Sequence, residues 1–144
     1  MAQYCNSSPS NKKSAVKGVL TKSSHYSVKE TMDRLVVFLQ RHDITIYARI
    51  NRQVELNWFD MHIRPFEYIL CGNPVASESI IEKNPVTALD LPLRIISWED
   101  TDSKCWVAYK DPEYLMSTYT LTHEDTIWLD LENIIYKALS ANTY

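Results

Sequence analysis

No apolar run in this chain approaches the roughly 20 residues needed to cross a bilayer, so a membrane-spanning helix is excluded on length alone. The opening stretch, MAQYCNSSPSNKKSAVKG, lacks an apolar segment of the secretory kind. We therefore expect a cytoplasmic protein with no membrane partner. Cysteine is scarce: Cys5, Cys71 and Cys105 are odd in number and have no C-x-x-C spacing. That argues against a disulfide framework and for reduced intracellular thiols. Basic excess is missing too. The net charge is −3 and the pI about 5.8, which argues against a generic nucleic-acid binder with its strongly basic face. His25, His42, His62 and His123 have no H-x-x-x-H, H-E-x-x-H or C-x-x-C companions. Metal ligation would need a coincidence of tertiary structure, and we expect no metal and no cofactor. No acid precedes Glu30, whereas Lys12, Lys13, Lys17, Lys22 and Lys29 all fall in that stretch. It reads as a solvated lysine-bearing tail, with a weak contact for an anionic partner as the sharper alternative. Glycine occurs only at Gly18 and Gly72.

What is present suits one domain. A chain of 144 residues buries roughly 70% of its unfolded surface. Its hydrophobic and charged fractions, 45% and 23%, are ordinary for a globular protein. Residues 1–16 are rich in Ser, Asn and Lys and are expected to form a disordered tail, with a single domain over 17–144. Residues 18–25 suit a first strand. Ser27 and Glu30 have capping-box spacing, and Val28, Met32, Leu35, Val36 and Leu39 follow at helical period, predicting a helix over 28–41. The segment 44–50 alternates, with Ile44, Ile46, Ala48 and Ile50 on one side and Thr45, Tyr47 and Arg49 on the other. Residues 52–60 are weakly helical, and 66–72 form the next strand.

Gly72 has a place in this scheme. Asn73 is a favoured N-cap and Pro74 suits the first helical position. We expect Gly72 to let the chain turn sharply between strand and cap. The helix should end near Asn84-Pro85. Residues 93–100 and 105–110 pair as a hairpin around the turn residues 101–104. Asp111-Pro112 opens a short helix to 119. Thr122 with Asp125 gives a second capping box, before a C-terminal stripe of Ile127, Leu131, Ile134, Ile135 and Ala138. The order β-α-β-(α)-β-(α)-β-β-α-α predicts an α+β fold with a largely antiparallel sheet and its long helices on one face.

Three strands, at 66–72, 93–100 and 105–110, are apolar on both sides whichever way their parity falls. A sheet with one wet face should alternate more strictly. We therefore expect the second face to be covered, either by the short helices at 52–60 and 74–83 or by a second copy of the chain.

The densest charged set beside apolar strands is Asp90, Arg94, Glu99 and Asp100. Arg94 can pair with Asp90 or Glu99 as a structural ion pair, or it can hold the carboxylate or phosphate of a ligand. Asn73 and the first amides of the helix it opens can cap that helix or receive an anion. Cys71 and Cys105 sit within strands, where thiols are ordinarily inert.

From Ala48-Arg49-Ile50 onward the motifs Gly72-Asn73-Pro74, Leu89-Asp90-Leu91-Pro92-Leu93-Arg94, Trp98-Glu99-Asp100, Trp106-Val107 and Tyr109 through Leu115 resemble the domain of unknown function 302 family over roughly residues 17–139. The resemblance implies a TATA-binding-protein-like β-α-β4-α core with short inserted helices, in small and often dimeric proteins of no assigned activity. Some relatives carry cysteine before the Asn-Pro and after the Leu-Pro, where this chain has Gly72 and Leu93. A paired-thiol or metal role is not carried over. Many show Ile-Asp-His where this chain has Ile50-Asn51-Arg52, so that histidine's role is missing as well.

No catalytic constellation emerges. The resulting expectation is a non-catalytic, homodimeric binding module for a small anionic ligand, with Asn73, Asp90, Arg94 and Glu99 as its binding residues. An enzyme using a thiol or carboxylate with Arg94 is the alternative. A nucleic-acid reader is suggested by fold analogy alone.

Overall fold

The computed structural model describes residues 11–13, 16–122 and 131–140. Six strands form one antiparallel sheet in the order β1-β2-β6-β5-β4-β3. They are β1 (Asn11–Lys13), β2 (Val19–Ser24), β3 (Thr45–Asn51), β4 (Phe66–Gly72), β5 (Leu93–Glu99) and β6 (Cys105–Lys110). The helices are α1 (Val28–Arg41), α2 (Arg52–Asn57), α3 (Pro74–Lys83), α4 (Pro112–Tyr119) and α5 (Leu131–Ser140), with a 3-10 turn at Pro85–Leu89. From β2 onward the order is the one expected. The three-residue β1 pairs with β2 inside the stretch whose composition suggests a disordered tail. The second expected capping box depends on Asp125, which lies with Ile127 and His123 outside the described residues, as does Cys5.

Local chemistry sets the helix starts. Ser27 caps α1, its hydroxyl accepting from the Glu30 N–H at 3.1 Å. Asn73 caps α3 by accepting from the Ala76 N–H at 3.1 Å, with Pro74 in the first position. Asp111 caps α4 in the same way, accepting from the Glu113 N–H at 3.0 Å. These acceptors satisfy amides that no helical carbonyl reaches.

One face of the sheet carries the two long helices. Met32, Leu35 and Leu39 of α1 and Ile134, Ile135, Ala138 and Leu139 of α5 bury against Leu20, Ile69, Cys71, Leu93, Ile95 and Val107. Opposed residues in an antiparallel ladder point to the same side. The pairs Ile69↔Ile95 and Cys71↔Leu93 therefore assign one face, and Phe66↔Trp98, Tyr68↔Ile96 and Leu70↔Arg94 the other. Trp98↔Trp106 and Ile96↔Ala108 extend that second face across β6. Its apolar residues are half-buried, and Ala108 is buried. α2 lies over the β4 end of this face, with Arg52 above the Phe66 ring. The buried Ile80 of α3 belongs to the helix-side core, while Ser77 Oγ of the same helix lies 3.7 Å from where a Cβ on Gly72 would stand.

Two expectations fail. The register of β3 shifts between Ile46 and Ala48, and this bulge inverts the parity beyond it. Ile46 stands opposite Cys71 on the helix side, whereas Ala48 and Ile50 stand opposite Leu70 and Tyr68 on the second face. Arg49 consequently turns towards the helices. The second failure concerns Gly72, which does not supply a special backbone conformation. It lies within β4, and a Cβ there would meet its nearest neighbour at an ordinary 3.7 Å. Gly18 is the glycine that the fold requires. Its φ is +79°, and a Cβ would fall 2.5 Å from the Tyr114 ring.

Candidate functional site

The two thiols among the described residues are sealed. Cys71 has no exposed surface and faces the helices, and burial pushes its pKa up to about 12. Cys105 is also buried. Its pKa is raised by desolvation, against weaker opposing contacts to Ser97 at 3.3 Å and Thr31 at 3.6 Å. Cys71 and Arg94 project from opposite faces, so a thiol working with Arg94 is ruled out by the register. Among the described residues, no group of three or more His, Cys, Asp or Glu side chains converges in a way that could hold a metal.

The four expected binding residues do not form one cluster. Asn73 is occupied as the α3 cap. Glu99 lies at the far end of β5, 3.2 Å from Arg64 Nη1. It lines a cleft of about 510 Å³ with Ser27, Asn51, Gln53 and Glu67. In that cleft Arg49 donates through Nε to Glu67 Oε1 at 2.7 Å and through Nη1 to Asp33 Oδ1 at 2.6 Å. Burial opposes the charge on Arg49, but these two carboxylates outweigh it and raise its pKa. Asp90 and Arg94 share a cleft of about 350 Å³ with Leu70, Leu89, Pro92 and Lys110. Asp90 Oδ1 is 3.4 Å from Lys110 Nζ, and its Oδ2 accepts the Tyr119 hydroxyl. That hydrogen bond is the main reason the Tyr119 pKa is raised.

Arg94 therefore pairs with neither Asp90 nor Glu99. Its Cζ lies 5.1 Å from the Tyr68 ring centroid, and among the described residues it has no carboxylate partner. It also lines a larger cleft of about 640 Å³, enclosed by Arg52, Glu55, Leu56 and Phe59 on the α2 side and by Phe66, Tyr68 and Ile96 on the sheet. Arg52 repeats the arrangement, its Cζ 5.3 Å from the Phe66 centroid. A guanidinium on an aromatic face keeps its N–H edge available for a planar anion.

Arg52, Phe66 and Tyr68 carry no motif of their own in the sequence. One signal points to the cleft: Arg52 stands where relatives with Ile-Asp-His place the histidine. The other is the i, i+2 spacing of two rings on one strand.

The model of the family described as Domain of unknown function DUF302 matches residues 20–141. A Fluoride-specific ion channel FluC 1 of Brucella suis biovar 1 (strain 1330) is 28% identical over 104 residues, which are 72% of this chain and 41% of the channel protein. A Fluoride-specific ion channel FluC 2 of Brucella melitensis biotype 1 is 28% identical over 72% of this chain and 38% of its own length. The chain thus spans about two-fifths of the curated relatives it matches. Among the described residues no helix is long and apolar enough to cross a membrane. The crystal structure of an uncharacterized conserved DUF302 protein from Bacillus stearothermophilus superimposes with a TM-score of 0.69 at 15% identity, covering 86% of this chain and 97% of that one. That likeness establishes the fold.

Proposed function

This chain belongs to the DUF302 family, and from that premise we propose that it is a non-catalytic, homodimeric module that binds a small anionic ligand on the second face of its sheet. One observation carries the ligand reading: Arg94 projects from that face over Tyr68 with no carboxylate partner among the described residues. A guanidinium presents paired donors that match a carboxylate or phosphate, and a charge-assisted pair of this kind is about twice as strong as a neutral hydrogen bond. Lys110 at the rim of the adjoining cleft adds positive potential, although Asp90 neutralises part of it.

The dimer reading draws on the apolar surface. Trp98 and Trp106 are half-buried beside Ala108, and Trp58 and Met61 beyond α2 are 85% and 51% exposed. A second copy would remove this surface from water.

The test is a calorimetric titration of the full chain with acetate, inorganic phosphate and fluoride. Fluoride is included because the curated channel relatives are specific for that anion. Saturable binding that Arg94→Ala abolishes supports the reading; absence of binding by all three opposes it. Sedimentation at micromolar concentration tests the dimer, and a strict monomer counts against it.

A further inference from the structure

The cleft under α2 holds more than one cation. Arg52 and Arg94 both line it, one over Phe66 and the other over Tyr68. Neither has a carboxylate partner among the described residues. Phe66 and Tyr68 are two residues apart on one face of β4, so their positions stand roughly 7 Å apart along the strand. Two guanidiniums turned toward one carboxylate or phosphate would each donate to it with N–H···O distances of about 2.8 Å. The remaining wall is Leu56, Phe59 and Ile96, with Glu55 as its one acidic side chain, so the two guanidiniums outnumber the carboxylate. At about 640 Å³ the cleft falls within the range of roughly 300–1,000 Å³ that organic ligands occupy, and a bare inorganic anion would leave most of it empty.

We infer that this cleft takes an organic acid with a flat apolar body. The acid group lies between Arg52 and Arg94, and the body rests on Ile96 and Leu56. Phe59, 74% exposed, sits at the mouth and packs on the body once it is bound. The inference deepens the anion reading and rests on it.

Inorganic phosphate and phenyl phosphate separate the two ideas, because they share a head group and differ only in the ring. Each is titrated by calorimetry into the full chain and into Arg52→Ala, Arg94→Ala and Phe59→Ala. Phenyl phosphate is expected to bind about 100-fold more tightly, the gain from burying one face and the edge of a ring. Both arginine variants should weaken both probes at least about tenfold, and Phe59→Ala should weaken phenyl phosphate alone. Equal affinity for the two probes, still dependent on Arg94, overturns the organic-acid class and leaves the anion reading standing. Binding of neither probe overturns both. Phenyl phosphate binding that survives both arginine substitutions overturns the inference, because the head group is then held elsewhere. Should an alanine variant fail to fold, Arg52→Lys or Arg94→Lys keeps the charge but removes the planar fork, and the same loss of affinity is expected.

Discussion

Replacing Arg49 by methionine strips a buried carboxylate of its partner. The Glu67 side chain is 7% exposed and accepts from Arg49 Nε at 2.7 Å. Asp33 is less dependent, since it keeps Lys29 at 2.9 Å. Removing one member of a fully buried pair costs about 3–5 kcal/mol. Arg49 itself is 30% exposed, and the adjoining cleft admits water, so the expected loss is about 2–3 kcal/mol. For a domain of this size that lowers Tm by roughly 6–9 °C. Calorimetric and urea melts near neutral pH measure it. The double variant Arg49→Met, Glu67→Leu should recover most of the loss, because the orphaned charge goes with the second change. A single-variant loss below about 0.5 kcal/mol, or a double variant whose two costs simply add, would refute the reasoning that Glu67 is held by Arg49.

The two glycines should behave oppositely. Gly18→Ala is expected to cost at least about 1–3 kcal/mol from its positive φ and the clash with Tyr114, whereas Gly72→Ala should stay within about 1 kcal/mol of the parent in the same urea melts. Native Cys71 and Cys105 should resist a thiol reagent until denaturant is added; rapid labelling of either in the folded protein would contradict their burial. Lys22 is buried 3.7 Å from Glu132, and desolvation lowers its pKa against the opposing pull of that carboxylate. Between the lowered value and the ordinary lysine value of 10.5, the unfolded chain binds more protons than the folded one, so this lysine makes stability rise with pH. Lys22→Met should remove that contribution and leave stability near pH 7 unchanged or up to about 1–2 kcal/mol higher. Urea midpoints stepped from about pH 7 to pH 10 in both proteins would show it, and identical slopes would contradict it.

Much of the architecture is legible from local chemistry. Ser27, Asn73 and Asp111 announce three helix starts because a cap needs only its own next few amides. The hairpin around residues 101–104 is likewise local. The parity of β3 is not, because a bulge between Ile46 and Ala48 depends on the neighbouring strand. The site divides along the same line. Asp90 and Arg94 are close in sequence and meet in one cleft. Arg94 and Glu99 are also close in sequence, but five residues along a strand place them roughly 17 Å apart and on opposite faces. Arg52 meets Phe66 and Arg94 only after three separate elements have assembled, and no spacing rule reaches across that distance.

The second face of the sheet as a ligand surface is tested most directly by nuclear magnetic resonance of the isotopically labelled chain, titrated with inorganic phosphate. Saturable shifts are expected at Arg52, Phe66, Tyr68, Arg94 and Ile96, with Ile69, Cys71 and Ile95 silent and the response lost in Arg94→Ala. Shifts confined to the helix-covered face, or an unaltered response from the Arg94→Ala protein, would contradict it.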